Sequence, residues 1–144
     1  MRILGIDHGN KRIGVAVSDP LGITAAPLTI LGHVARVNDA QRIVELAEEY
    51  ECELILVGLP LDSDGSVGAR ARSVNRFIEE VRNQTSLPVI AWDESNSTKK
   101  SIQASIDRGE KRKKRSQPMD DQAAAIILQD YLDIQSHIAG GHSV

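Results

Sequence analysis

The chain is poor in aromatic residues: one Trp, two Tyr and one Phe among 144 positions. So few rings cannot form the stacking platform on which single-strand-binding proteins lay successive bases. Cysteine occurs once, as Cys52, which excludes a disulfide framework and a thiolate metal site. Cys52 falls where a helix should give way to a strand, so it reads as a buried thiol. The four histidines, His8, His33, His137 and His142, are scattered without zinc-ligand spacing. No apolar run approaches the roughly 20 residues that span a bilayer. Gly5, Asp7 and His8 interrupt the N-terminal apolar stretch, unlike a secretory signal, so a cytoplasmic location and no membrane partner are expected. Positive charge is not in excess either: 17 Lys and Arg stand against 20 Asp and Glu, a formal net charge of −3. That excludes a uniformly basic nucleic-acid binder but leaves room for a local basic patch.

What is present fits one soluble domain over residues 1–144, with a tail that frays from about residue 137. Two apolar runs, Ile3–Ile6 and Ile13–Val17, flank the polar turn His8-Gly9-Asn10 and read as an antiparallel hairpin. The first run is apolar at every position, as in a strand covered on both faces. Ile23–Leu31 predicts a third strand, placed at an edge or bulge by Pro27. Asn38 or Asp39 can cap a helix to about Tyr50, its outer face carrying Glu45, Glu48, Glu49 and Glu51. Glu53–Val57 predicts a strand ending at Gly58-Leu59-Pro60, followed by a loop and a helix to about Gln84. Pro88–Trp92 predicts a fifth strand, Ser95–Ser97 cap a helix to about Asp107, and Pro118 opens a last helix. The crossover after the third strand sets the fourth parallel beside the first. The expected fold class is α/β, with a mixed five-stranded sheet in the order 3-2-1-4-5 flanked by helices.

Ligands of such sheets gather at the carboxyl ends of the parallel strands. Asp7, the Gly58–Gly65 loop and Glu94 all fall there. A carboxylate at the mouth of a buried strand is poorly solvated and needs a cation or donors, so Asp7 reads as a metal ligand. Glu94 follows the fifth strand, and Asp120 and Asp121 open the last helix. Asp120 shares a helical face with Ala124, Ile127 and Tyr131, Asp121 with Ala125, Leu128 and Leu132, and periodicity does not choose between them. Carboxylates brought close together repel unless a cation intervenes. Mg²⁺ is the hard cation such oxygen ligands suit, and a pair of such ions can clamp both oxygens of a phosphodiester hydrolysis. Glu94 must reach over the fourth strand, since strands two apart lie about 9–10 Å from each other. Gly58 leaves room for that reach, and Asp62 or Asp64 is the alternative second ligand. Lys11, Arg12 and the run Lys111-Arg112-Lys113-Lys114-Arg115 form the local patch that would neutralise backbone phosphates.

The sequence resembles the YqgF/RuvX family of Holliday-junction-resolvase-like proteins over nearly its whole length. The resemblance rests on Leu4-Gly5-Ile6-Asp7-His8-Gly9 with Lys11–Asp19, on Gly58-Leu59-Pro60-Leu61 with Asp64-Gly65, on Asp93-Glu94, and on Asp120 with Ala123–Gln129. It implies a ribonuclease-H-like fold, a Mg²⁺- (or Mn²⁺-) dependent nuclease, and a role in maturing the 5′ end of pre-16S ribosomal RNA. By position it carries the family's acidic residues to Asp7, Glu94 and Asp120. The family usually continues its Asp-Glu pair with Arg and then a Thr pair; here Ser95-Asn96-Ser97-Thr98 follows, and a phosphate contact or carboxylate partner is lost.

The implied partner is RNA. A branched-DNA resolvase, working as a two-fold dimer, is the alternative substrate reading, so the chain is expected to be a monomer or a homodimer. A non-catalytic RNA- or ribosome-binding protein of the same fold is a further alternative, favoured by the change after Glu94. Asp7-His8-Gly9 also resembles the phosphate loop of the actin and Hsp70 ATPases. Those proteins duplicate the unit, and 144 residues hold only one.

Overall fold

The computed structural model describes residues 1–62, 64–94 and 120–142, and of residues 120, 121 and 137–142 the backbone alone. The expected helix over 95–107, the basic run 111–115 and Pro118 lie outside the described residues. The first strand, β1 (Ile3–His8), buries Ile3, Leu4 and Ile6 because helices cover both faces of the sheet there. It pairs antiparallel with β2 (Arg12–Ser18), Asp7 opposite Gly14, and the turn closes with the Gly9 amide donating to the Arg12 carbonyl at 2.9 Å. It pairs in parallel with β4 (Leu54–Leu59), ending at Ile6 opposite Val57. β3 (Ala25–Gly32) is the edge strand that Pro27 predicts; Pro27 lies opposite Ala16, where the register shifts. β5 (Val89–Asp93) runs parallel to β4 on the other edge. The order is β3-β2-β1-β4-β5, as the connectivity requires.

Helices α1 (Arg36–Glu49) and α2 (Ala69–Gln84) cover one face, over Leu4, Ile6, Val15 and Val57. Helix α3 (Asp120–His142) covers the other, setting Ala124, Ile127, Leu128 and Leu132 against Ala16, Leu54 and Leu56. Among the described residues no helix is long and apolar enough to cross a membrane.

Several boundaries differ from the sequence reading. α1 begins at Arg36, its N-cap Ala35 making no side-chain cap, so neither Asn38 nor Asp39 is the cap. Asp39 does a cap's work from inside the first turn. Its buried carboxylate reaches back to accept the Val34 amide at 3.0 Å and also meets Arg42 and His33, each at 2.5 Å. β4 runs on through Gly58 and Leu59, because its pairing with β5 continues there, Gly58 opposite Trp92. Gly58 is therefore a strand residue and not a turn. α3 is described to His142. The glutamates 45, 48, 49 and 51 are exposed, and Cys52 is buried.

Candidate functional site

The alternation of strand residues assigns each side chain at the sheet's carboxyl rim to a face. Leu4 and Ile6 face α1 and α2, and His8 continues that row, its ring 4.4 Å from that of Phe77 on α2. Burial is the main reason the His8 imidazole titrates below its ordinary range. Gly5 lies against α3: a Cβ there would stand 2.9 Å from the Leu128 Cβ. Asp7, two residues on, belongs to the same face and is half-buried.

Glu94 follows β5 directly and is buried. Its side chain folds back over β4. A Cβ at Gly58 would meet Glu94 Oε2 at 2.7 Å, Ile127 Cδ1 at 2.9 Å and Glu94 Cγ at 3.1 Å. Gly58 stands one step beyond the registered pair Ile6–Val57, and so beside Asp7 on the adjoining strand, about 4.8 Å away across the sheet. The glycine is what lets the carboxylate of the third strand along approach that of the first. Asp62 and Asp64 are engaged in their own loop. Asp64 accepts the Ser66 hydroxyl at 2.7 Å and its amide at 2.9 Å, and these bonds hold its carboxyl below the usual range. The Asp62 oxygens lie 2.8 and 2.9 Å from where a Cβ on Gly68 would be.

Asp120 is the first residue of α3. Seven residues on, Ile127 touches Gly58 and Leu128 abuts Gly5. Seven residues are about two turns and roughly 10 Å of rise, so position 120 stands on the sheet-facing side of the helix, past the rim where Asp7 and Glu94 lie. Lys11 and Arg12 are exposed at the hairpin tip, bordering the same rim. Lys111, Arg112, Lys113, Lys114 and Arg115 lie outside the described residues.

Among the described residues no three His, Cys, Asp or Glu side chains gather as metal ligands; Asp7 and Glu94 stand at the same end of the sheet. An all-carboxylate donor set, with Glu94 drawn inward over a glycine towards the Asp7 strand, fits a hard, oxygen-ligated divalent cation such as Mg²⁺ or Mn²⁺. Sequence reasoning missed Arg70, in the first turn of α2, which donates to the His8 carbonyl at 3.2 Å. The available signal was a cation in a first turn, where acids are favoured.

A family model described as RuvX, Holliday junction resolvase, matches residues 1–134. Proteins named "Putative pre-16S rRNA nuclease" are similar along almost the full length. The one from Desulforamulus reducens is 45% identical over 137 residues, covering 92% of this chain and 97% of its own. The one from Halothermothrix orenii is 41% identical over 140 residues, covering 97% and 100%. Among solved structures, RuvC of T. thermophilus in complex with a Holliday junction substrate superposes with a TM-score of 0.60 at 20% identity, covering 94% of this chain and 96% of that one. The Fowlpox virus resolvase with Holliday junction DNA gives 0.54 at 18%, covering 94% and 99%. These two likenesses establish the shared resolvase fold.

Proposed function

Because the chain belongs to the RuvX family, we propose that it is a divalent-metal-dependent nuclease that hydrolyses phosphodiesters of structured RNA, in the maturation of the 5′ end of pre-16S ribosomal RNA. The observation that carries this reading is Glu94 lying over Gly58, which brings the β5 carboxylate towards the Asp7 end of β1. RNA is the substrate in the names of the relatives.

Asp7 and Glu94, joined by Asp120 at the start of α3, are the residues that would hold Mg²⁺ or Mn²⁺. Bound there, such an ion supplies a water of lowered pKa and positive charge for the phosphoryl oxygens. The chain's own residues supply position. The sheet fixes Asp7 through its pairing with β2. Burial of Glu94 against Gly58 and Ile127 keeps its carboxylate from swinging into solvent. Lys11 and Arg12 at the hairpin tip, with Lys111, Arg112, Lys113, Lys114 and Arg115, hold backbone phosphates and offset the negative charge of the site.

The deciding experiment is Asp7→Asn, which keeps shape and removes charge. It is expected to lower Mg²⁺-dependent RNA cleavage by more than the roughly 10–100-fold typical of losing an outer partner of a metal ligand, with an unchanged circular dichroism spectrum. Unaltered cleavage would overturn the assignment. Four-way junction DNA is the second substrate reading, favoured by the family description. Assaying a pre-16S RNA fragment and a junction side by side separates the two, because only the RNA offers 2′-hydroxyls.

A further inference from the structure

Arg70 lies in the first turn of α2, which holds no acidic residue and whose N-cap, Gly68, makes no side-chain cap. A cation at this position faces the positive end of the helix dipole and gains nothing from it. Arg42 and Arg82 each meet a carboxylate of their own helix, Asp39 and Glu79, as well as a backbone carbonyl, of Gly32 and Val89. Arg70 donates across to another element, to the carbonyl oxygen of His8, at 3.2 Å. That carbonyl is one residue past Asp7. It lies at the mouth between β1 and β4, where the sheet's connections change direction and where open α/β sheets receive ligands. A guanidinium has five N–H donors in a rigid fork, the side chain is exposed, and one donor is enough to tether it to His8.

The arrangement therefore sets a tethered, permanent cation on the α2 side of the crevice, while Asp7 and Glu94 stand on the α3 side. Carboxylates repel a phosphate chain wherever no metal intervenes, so a backbone crossing this rim needs a fixed cation beside them. We propose that Arg70 is a substrate-binding residue that holds a non-bridging oxygen of a phosphodiester flanking the scissile one, and so sets the register of the nucleic-acid backbone over Asp7 and Glu94. This deepens the nuclease reading above and rests on it.

The test measures binding apart from chemistry, in the full-length Asp7→Asn chain, by fluorescence anisotropy. The probes are a fluorescein-labelled RNA hairpin with a 5′ single-stranded extension and a four-way DNA junction, titrated between 50 and 200 mM salt. Adding Arg70→Ala is expected to weaken binding about tenfold, as for loss of a charge-assisted hydrogen bond. It should also flatten the slope of log K against log salt by about 0.7–0.9, the share of one neutralised phosphate. Arg70→Lys should restore the slope and only part of the affinity. A loss on one probe alone supports the proposal and identifies which nucleic acid this contact serves. Equal affinity and slope on both probes with and without Arg70→Ala, alongside cleavage by the chain that keeps Asp7, would overturn the role of Arg70 and leave the nuclease reading standing. Failure of the Asp7→Asn chain to bind either probe, with no cleavage by the unaltered chain, would overturn both. Should Arg70→Ala unfold, Arg70→Gln, which can still donate to the His8 carbonyl, takes its place with the same expected loss of affinity and slope.

Discussion

Gly58 shows how much one missing side chain decides. A methyl group there would stand 2.7 Å from Glu94 Oε2 and 2.9 Å from Ile127 Cδ1, so one or both must move. Glu94 Oε2 is the end of a flexible side chain and yields first. Gly58→Ala is therefore expected to cost about 1–3 kcal/mol of stability, as overpacking does, and to abolish cleavage out of proportion to that loss. A urea midpoint and a cleavage rate on the same preparation check both halves; retained cleavage would show that Glu94 need not lie there. The lie of Glu94 over Gly58 was legible beforehand. Strand spacing alone requires the fifth-strand carboxylate to reach across the fourth, and only a small residue beneath it permits that. The choice between Asp120 and Asp121 was not legible, because both share a helical face with apolar residues and periodicity has no further information to give. Arg70 was legible only as a cation in a first turn, since its hydrogen bond reaches a residue 62 positions away.

At the scale of elements, α1 begins differently from the expectation, and the reason is tertiary. A capping residue is recognised in sequence by its immediate neighbours in the chain. Asp39 is instead drawn inside by His33 and Arg42, together with the Val34 amide. Burial alone would raise its carboxyl pKa, but these three donors prevail and hold it below the ordinary value. The direction of the pH effect is set by that lowering. On acidification the unfolded chain takes up this proton first, near the normal carboxylate pKa of about 3.9. The stabilisation is thus complete above that pH and is lost as pH falls through the lower folded value. Asp39→Asn should lower stability at pH 7 by about 1–3 kcal/mol and flatten the acid limb of a plot of urea midpoint against pH. A parallel limb would show that Asp39 is not the group responsible. The strands were easier to foresee than the helix start. β1 is apolar throughout and Pro27 marks β3 as an edge, whereas the extension of β4 through Gly58 depends on its partner β5, which no local pattern reveals.

Across the whole molecule, the two apolar layers lie on opposite faces of one sheet, and Cys52 belongs to the layer beneath α1 and α2. Burial pushes its thiol up to about 11, and the thiolate is the reactive form. Alkylation of Cys52 by iodoacetamide at pH 8 should therefore be slow in the native protein and accelerate with urea in step with the unfolding curve. Fast labelling without denaturant would mean that the α1–β4 junction opens on its own. The sheet order was readable because the crossover rule leaves few topologies, while the helix-to-sheet distance was not, since it depends on pairs of residues far apart in sequence. That distance has its own mechanical outcome. Gly5 and Gly58 are two vacancies in the sheet into which Leu128 and Ile127 settle, and together they gauge how closely α3 rides. A group that fills the vacancy at Gly5 meets the Leu128 Cβ and lifts the rod, and the acid at its tip travels with it, so a substitution at the middle of β1 would be felt two helical turns away.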